Sequence, residues 1–155
     1  MSGREPGDSG MIQFDGTLIT YTSPAYGSFS IPLSEVAIIG EFTTDNGPFI
    51  DDWFIVFVPH SGHDWFEASM YAGGIEPLRR QLSEVLGASI DGVTLFASTD
   101  FASGIVWPPT LANRPLFTFS PVKGSGFFSR IKLAIFPRVF HRLSEDALSA
   151  IKPRA

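Results

Sequence analysis

The chain has 155 residues, of which 44% are hydrophobic and 17% are charged, and its formal net charge at pH 7 is −5. A chain of this length is expected to form one compact domain that buries roughly 70% of the surface exposed by its unfolded form. It contains no cysteine, which excludes disulfides, a thiolate nucleophile and cysteine-ligated metal sites, and makes the reducing cytoplasm the expected location.

Residues 1–10 are polar and glycine-rich, and they predict a disordered tail ahead of a single globular domain over residues 11–152. No stretch approaches the run of about 18 apolar residues that spans a bilayer, so no transmembrane segment is expected. We therefore expect the globular part to fold in water.

Residues 12–88 predict an antiparallel strand meander that is closed by a helix. Strand patterns recur at TLITY (17–21), SFSIP (28–32), WFIVFVP (53–59) and WFEASMY (65–71). A further strand, from Val36 to Thr43, is apolar on both faces, so we expect it to be covered on both.

The helix is predicted from GGIEPLRRQLSEVLG (73–87). Pro77 is tolerated only in the first turn, and Gly87 is a stop signal. Five residues are expected to share the buried face: Ile75, Leu78, Leu82, Val85 and Leu86.

Residues 89–152 predict a second, shorter copy of this unit. Residues 15–32 align with residues 91–109 after one insertion, and residues 54–86 align without gaps with residues 116–148. Strands are predicted at TLFAS (94–98), GIVW (104–107), LFTFS (116–120) and SRIKLAIF (129–136). Pro137 is then expected to open a helix with four residues on one face: Phe140, Leu143, Ala147 and Ile151. The predicted fold class is α+β, with two unequal repeats, 12–88 and 89–152, of a meander followed by a helix.

Residues 12–87 resemble a pleckstrin-homology-like domain, a bent antiparallel sheet closed by a C-terminal helix. The stretches that carry the resemblance are SIPLSEVAIIGEF (30–42), DDWFIVFV (51–58), WFEASM (65–70) and IEPLRRQLSEVL (75–86). The resemblance implies non-catalytic binding of phosphoinositides, peptides or proteins. The alternative is one continuous sheet around a pseudo-twofold axis, as in clamp-like folds.

His60, His63 and Asp64 are a candidate site for a divalent metal such as zinc or nickel, because imidazole and carboxylate are ordinary ligands of these ions. The aligned stretch SPVKGSGFF (120–128) keeps the proline, the glycine and the aromatics but has no histidine. The shared residues are those that a hairpin turn needs, so the histidines are not required for the turn. Asp45, Asp51 and Asp52 are a weaker candidate for calcium, against ordinary turn chemistry.

The two halves differ in charge. Residues 1–88 carry 3 basic and 12 acidic side chains, whereas residues 89–155 carry 8 basic and 4 acidic ones. Five basic residues of the second half form a candidate surface for an anionic ligand or a membrane: Lys123, Arg130, Lys132, Arg138 and Arg142. The negative total charge argues against nucleic acid as a partner.

The expected function is a non-catalytic binding or assembly module that acts through its sheet surface and helix faces. Its expected partner is another protein or further copies of itself, in a homo-oligomer. One alternative is a small-ligand or metal-dependent enzyme that uses the turn with His60, His63 and Asp64, and another is a peripheral membrane-surface domain that uses the basic residues. No catalytic residue and no cofactor are predicted.

Overall fold

A computed structural model describes residues 8–44, 51–62, 64–90, 102–119 and 141–151, and within these ranges the fold is α+β, as predicted. The strands are β1 Met11–Phe14, β2 Leu18–Ser23, β3 Gly27–Pro32, β4 Val36–Thr43, β5 Trp53–Pro59, β6 Phe66–Ser69, β7 Ala102–Trp107, β8 Phe117–Phe119 and β9 His141–Leu143. The helices are α1 Ile75–Leu86 and α2 Glu145–Ile151. No helix in the described ranges is long and apolar enough to cross a membrane.

The strands form antiparallel sheets with the orders β1-β2-β3, β6-β5-β4-β7 and β8-β9. Local side-chain bonds shape the turns of the first sheet. Asp15 Oδ1 accepts from the backbone N–H of Leu18 (2.7 Å) and of Thr17 (2.8 Å) between β1 and β2. These bonds to Leu18 and Thr17 lower the pKa of the Asp15 carboxyl, since they favour its charged form. Ser23 Oγ accepts from Ala25 and Tyr26 N–H and so turns the chain into β3.

Every residue of β4 is buried, as expected for a strand that is apolar on both faces. The four-stranded sheet lies between two cores. The first core joins the sheet to β1–β3 and α1, through residues that include Ile19, Tyr21, Ile31, Val36, Ile39, Phe57, Leu78 and Leu82. The second core joins its other face to β8, β9 and α2, through Ala37, Ile38, Phe42, Phe54, Val56, Val58, Ile105, Leu116, Phe117, Leu143, Ala147 and Ile151.

A β-bulge decides which residues of β4 enter which core. The pairing with β5 passes from Val36 directly to Ile38, so Ala37 is an extra residue in the ladder. Val36 and Ile39 therefore face the first core, while Ala37 and Ile38 face the second. Strict alternation would have placed Val36 and Ile38 on the same face.

The sheet is continuous between the two halves of the chain, because β7 of the second half pairs with β4 of the first. The approach is close at Gly40, where a Cβ atom would lie 2.6 Å from Leu116 Cδ2 and 2.9 Å from the Gly104 carbonyl oxygen. Only a residue without a side chain fits there unless its neighbours shift.

Three details of the sequence analysis differ from the structure. Residues 141–143 form β9, which pairs with β8, so they do not belong to the helix predicted to run on from Pro137, and α2 begins at Glu145. Ser144 explains this start, because its Oγ accepts from Ala147 N–H and caps the helix, and Glu145 and Asp146 follow in the first turn. Val85 is 57% exposed rather than buried on α1.

The third difference is at the N-terminus. Ser9, in the stretch assigned to the tail, is only 6% exposed. The Gly10 carbonyl accepts from Gly73 N–H, and β1, which no sequence pattern indicated, begins at the next residue. Residues 8–10 thus belong to the folded domain, and the strands predicted at 94–98 and 129–136 lie outside the described residues.

Candidate functional site

The predicted metal site lies in the turn between β5 and β6. His60 and Asp64 are both exposed, and His63 lies outside the described residues. The turn itself is confirmed, since Gly62 takes a positive φ of 69° and its N–H donates to the Pro59 carbonyl (3.0 Å). In the part of the chain that the structure describes, no three metal-ligating side chains of His, Asp or Glu cluster. Metal binding by this turn stays a prediction.

Most of the predicted basic surface lies outside the described residues. Lys123, Arg130, Lys132 and Arg138 lie outside them. Arg142 lies in β9, where its backbone pairs with that of Thr118. The alignment of residues 54–86 with residues 116–148 pairs Arg142 with Arg80 and so predicts a helical position for both, but Arg142 is in a strand and Arg80 is in α1. Binding of an anionic surface stays a prediction.

Two of the three aspartates of the candidate calcium site accept hydrogen bonds from hydroxyl groups. The buried Asp51 accepts through Oδ2 from Ser9 Oγ (2.6 Å) and from Ser69 Oγ (2.5 Å). Asp52 Oδ1 accepts from Tyr71 OH (2.6 Å). Asp45 lies outside the described residues. These contacts give Asp51 and Asp52 structural roles in joining separate segments.

An open groove of about 310 Å³ lies between β3 and the start of β6. Four aromatic side chains, one carboxylate and one serine line it: Tyr26, Phe29, Trp65, Phe66, Glu67 and Ser28. Phe29 and Phe66 pack against the first core, Trp65 packs against the second, and Tyr26 contacts both. The groove thus lies at the edge of the central sheet where the two cores meet.

The aromatic rings of the groove are held in place by rings beneath them. The Phe29 ring lies 5.2 Å from Phe66 and 6.1 Å from the fully buried Phe57, measured between centroids. Trp65 lies 5.0 Å from Phe117, and Tyr26 meets Phe54 edge-on at 5.3 Å. A ligand would meet a surface that is already formed, so little ordering entropy is lost on binding.

Trp65 and Glu67 are joined by a hydrogen bond in which the indole N–H donates to Glu67 Oε1 (2.8 Å). Glu67 is opposite Val56 in the β5–β6 ladder, so its side chain is on the side of the second core, where Trp65 also packs. The bond fixes the tilt of the indole ring and places a carboxylate at the rim of the aromatic surface.

β3 is an edge strand, and among the described residues only β2 pairs with it. Leu33 N–H donates to the Thr17 carbonyl (2.8 Å), which continues this ladder by one position. Hydrogen-bonded pairs alternate along an antiparallel ladder. Ser28 and Ser30 therefore direct their backbone N–H and C=O groups away from β2, and Pro32, which has no N–H, ends this free edge.

None of the groove residues was among the candidates from sequence. The one local signal is in WFEAS (65–69), where an aromatic residue and a carboxylate alternate onto one face of a strand. The contact of Phe29 with Phe66 joins two strands of different sheets. No local pattern specifies such a pairing.

Comparison with protein-family models, with curated protein sequences and with solved structures finds no match to this chain. The geometry of the groove and of the β3 edge beside it is therefore the basis for the proposed function.

Proposed function

We propose that this chain is a non-catalytic protein-binding module that takes up an extended segment of a partner protein along β3 and in the adjacent groove. The observation that carries the proposal is that the backbone groups of Ser28 and Ser30, which point away from β2 and pair with no other described strand, lie beside a preformed aromatic groove lined in part by the same strand. Main-chain bonds to a strand edge supply affinity, and a neighbouring pocket for side chains supplies specificity.

The groove is better suited to binding than to catalysis. Its lining contains one carboxylate and one serine, with no histidine, lysine or second carboxylate among the described side chains that form it. A nucleophile needs a base to activate it, and acid–base catalysis commonly needs two titratable groups with different roles. The aromatic rings instead offer contact area at a low cost in conformational entropy.

We also interpret the fold as pleckstrin-homology-like, because an antiparallel strand meander leads into α1. Peptide or protein binding is among the functions that this resemblance implies. The acidic character of residues 1–88 favours a protein ligand over a phosphoinositide. The lack of cysteine is consistent with an interaction in the cytoplasm.

The test is to pan a phage library of random linear 12-residue peptides against the full chain and to measure recovered peptides by calorimetry. We expect peptides with dissociation constants in the micromolar range. Ser30→Pro should weaken them by about tenfold or more, because it removes one outward N–H while an edge strand tolerates proline there. Ser30→Ala is the matched control, since it keeps the N–H and should change affinity by less than about twofold.

Two results would overturn the proposal. One is the recovery of no peptide that binds the full chain. The other is a peptide whose affinity is the same for Ser30→Pro and for the native chain, while circular dichroism shows that the variant is folded. Light scattering on the unliganded chain completes the test, because a dimer that Ser30→Pro dissociates would identify the occupant of the edge as a second copy.

A further inference from the structure

We infer that the bound segment runs antiparallel to β3 and places one aromatic side chain opposite Phe29, where it packs in the groove. This inference rests on the proposed function and names the class of ligand, an extended segment with an aromatic residue between two solvent-facing ones. Three observations support it: the direction of the backbone groups of β3, the rings that line the groove, and the lack of charge along the strand edge.

The backbone of β3 sets the register of an added strand. Ser28 and Ser30 direct their N–H and C=O groups away from β2, whereas those of Phe29 bond to Tyr21 in β2. An antiparallel strand that bonds to both serines therefore has one residue directly opposite Phe29, in a pair without hydrogen bonds. The Cα atoms of such a pair are only about 4.5 Å apart, so the two side chains touch. Antiparallel pairing is also slightly more stable per residue than parallel pairing.

Side chains alternate between the two faces of β3, and the face of Phe29 is the one that leads into the groove. Phe29 is half-buried and packs against the first core, whereas Ser28 and Ser30 are exposed. Residues that are directly opposite each other in a ladder point to the same face. The ligand residue opposite Phe29 therefore enters the groove beside the Phe29 ring, and its two neighbours point into solvent beside the serines.

The rings of the groove favour an aromatic side chain at this position. The Phe29 and Phe66 rings are tilted by 34° with their centroids 5.2 Å apart, and Trp65 lines the same groove. A phenylalanine ring has no hydrogen-bonding group, so a charged side chain placed against it would lose hydration without compensation. A further ring instead gains the edge-to-face or offset contacts that aromatic pairs prefer. The groove volume of about 310 Å³, near the lower end of the roughly 300–1,000 Å³ of small-molecule sites, fits one large side chain.

The edge of β3 lacks the features that commonly keep a strand edge free of partners. Natural proteins protect such edges with charged side chains, with proline or with a β-bulge. From Gly27 to Ile31 the strand contains no charged residue and no proline, and its ladder with β2 is regular. Pro32 comes only at the end of the strand. The edge is therefore suited to pairing with another strand.

The first test finds the ligand position that enters the groove. Variants of a peptide recovered by panning, in which one position at a time is replaced by phenylalanine, leucine, alanine or glutamate, are titrated into the full chain. We expect one position to prefer phenylalanine over leucine by about threefold and over alanine by about tenfold or more. The positions on either side should accept all four residues within about threefold, because they face solvent.

Phe29→Leu tests the contact between the ligand ring and Phe29. It keeps a large apolar side chain but loses the ring, so the preference for phenylalanine over leucine at the groove position should disappear, which a double-mutant cycle measures. Phe66→Leu is a second variant with the same expected result, and circular dichroism shows whether each variant is folded. Tyr71→Leu is the control and should leave the preference unchanged, because Tyr71 is 42% exposed and lies outside the groove lining.

Ser28→Lys tests the direction of the bound segment on an exposed side chain that does not contribute to either core. In an antiparallel ladder the peptide residue opposite Ser28 follows the aromatic residue, whereas in a parallel ladder the residue beside it precedes the aromatic one. We expect Ser28→Lys to bind peptides with glutamate at the following position about threefold more tightly than those with glutamine, because opposite charges attract across strands. Ser30→Lys is the matched variant and should show this preference at the preceding position.

The outcomes separate this inference from the proposed function. Peptides that Ser30→Pro weakens, but that show no preference for an aromatic residue or a preference that Phe29→Leu and Phe66→Leu both leave intact, overturn the inference alone. Coupling of Ser28→Lys to the preceding position does the same, because it indicates a parallel segment. A dimer of the unliganded chain that Ser30→Pro dissociates would assign the edge to a second copy and overturn the inference. If no peptide binds the native chain, the proposed function fails, and the inference fails with it.

Discussion

Asp51 joins three segments of the first half that are far apart in the sequence. Its carboxylate accepts from Ser9 near the N-terminus and from Ser69 at the end of β6. Its backbone N–H donates to the hydroxyl of Tyr26, one of the groove residues (3.1 Å). A buried carboxylate is tolerated only when hydrogen bonds replace its hydration. The same bonds therefore stabilise the fold and hold one wall of the groove.

We expect Asp51→Ala to lower the free energy of unfolding by about 2–3 kcal/mol, because two buried hydroxyl donors lose the carboxylate that accepts their hydrogen bonds. Asp52→Ala is the matched control. Asp52 is half-buried and bonds to the exposed Tyr71, so its removal should cost less than about 1 kcal/mol. Urea unfolding followed by circular dichroism measures both. Equal losses would show that the Asp51 contacts add nothing beyond an ordinary surface bond.

Helix α1 is bounded by two glycines in the left-handed region of backbone space, Gly74 with φ 88° and Gly87 with φ 63°. The two ends differ in their surroundings. A Cβ atom at Gly74 would overlap the backbone carbonyl oxygen of Ile12, whereas one at Gly87 would have no atom within 4 Å. The start of α1 is thus pressed against β1, while its end is open.

This difference predicts unequal costs for the same substitution. Gly87→Ala should destabilise the chain by about 1–2 kcal/mol, which is the cost of a left-handed alanine. Gly74→Ala should cost at least about 1 kcal/mol more, because the backbone of β1 must also move. Thermal and urea unfolding of the two variants measure the loss in free energy of unfolding for each. A Gly74→Ala variant no less stable than Gly87→Ala would contradict the close approach of α1 to β1.

In the whole molecule the four-stranded sheet separates two cores and is covered on both faces. The first core comes from the first half of the chain together with Ile90 and Val106, whereas the second combines β4 and β5 with Leu116, Phe117 and residues of β9 and α2. Ser144 N–H donates to the Leu116 carbonyl (2.8 Å), which ties the start of α2 to this second core. The second half of the chain therefore covers the face of β4 and β5 that the first half leaves open.

Leu116 tests the contribution of the second core. It is completely buried, and Leu116→Ala should lower the free energy of unfolding by about 2–5 kcal/mol through lost burial and a cavity. Leu148→Ala on α2 is the control, because Leu148 is 46% exposed and should contribute less than about 1 kcal/mol. Equal effects of the two leucine substitutions on the urea midpoint would exclude a packed second core around Leu116.

Local sequence patterns were sufficient to predict most of the individual strands and helices. Alternation indicated β2 and β3, and the doubly apolar run indicated that β4 is buried on both faces. The prediction of the second helix was wrong at residues 141–143. It followed the alignment with α1, whereas the capping residue Ser144 marks a later start of the helix. β1 was missed because its four residues are too short to show a period, and its position depends on a bridge between Met11 and Gly73.

By itself the sequence determined the α+β class, the order of β2 to β6 and α1, and the turn at Gly62, since these depend on side-chain period and on residues with special backbone freedom. Only the tertiary structure decided the bulge at Ala37 and the groove between Phe29 and Phe66. Contacts between strands of different sheets depend on how the sheets twist and pack, and on which edge each strand occupies. The candidate site is made of such contacts, so no local sequence pattern indicates it.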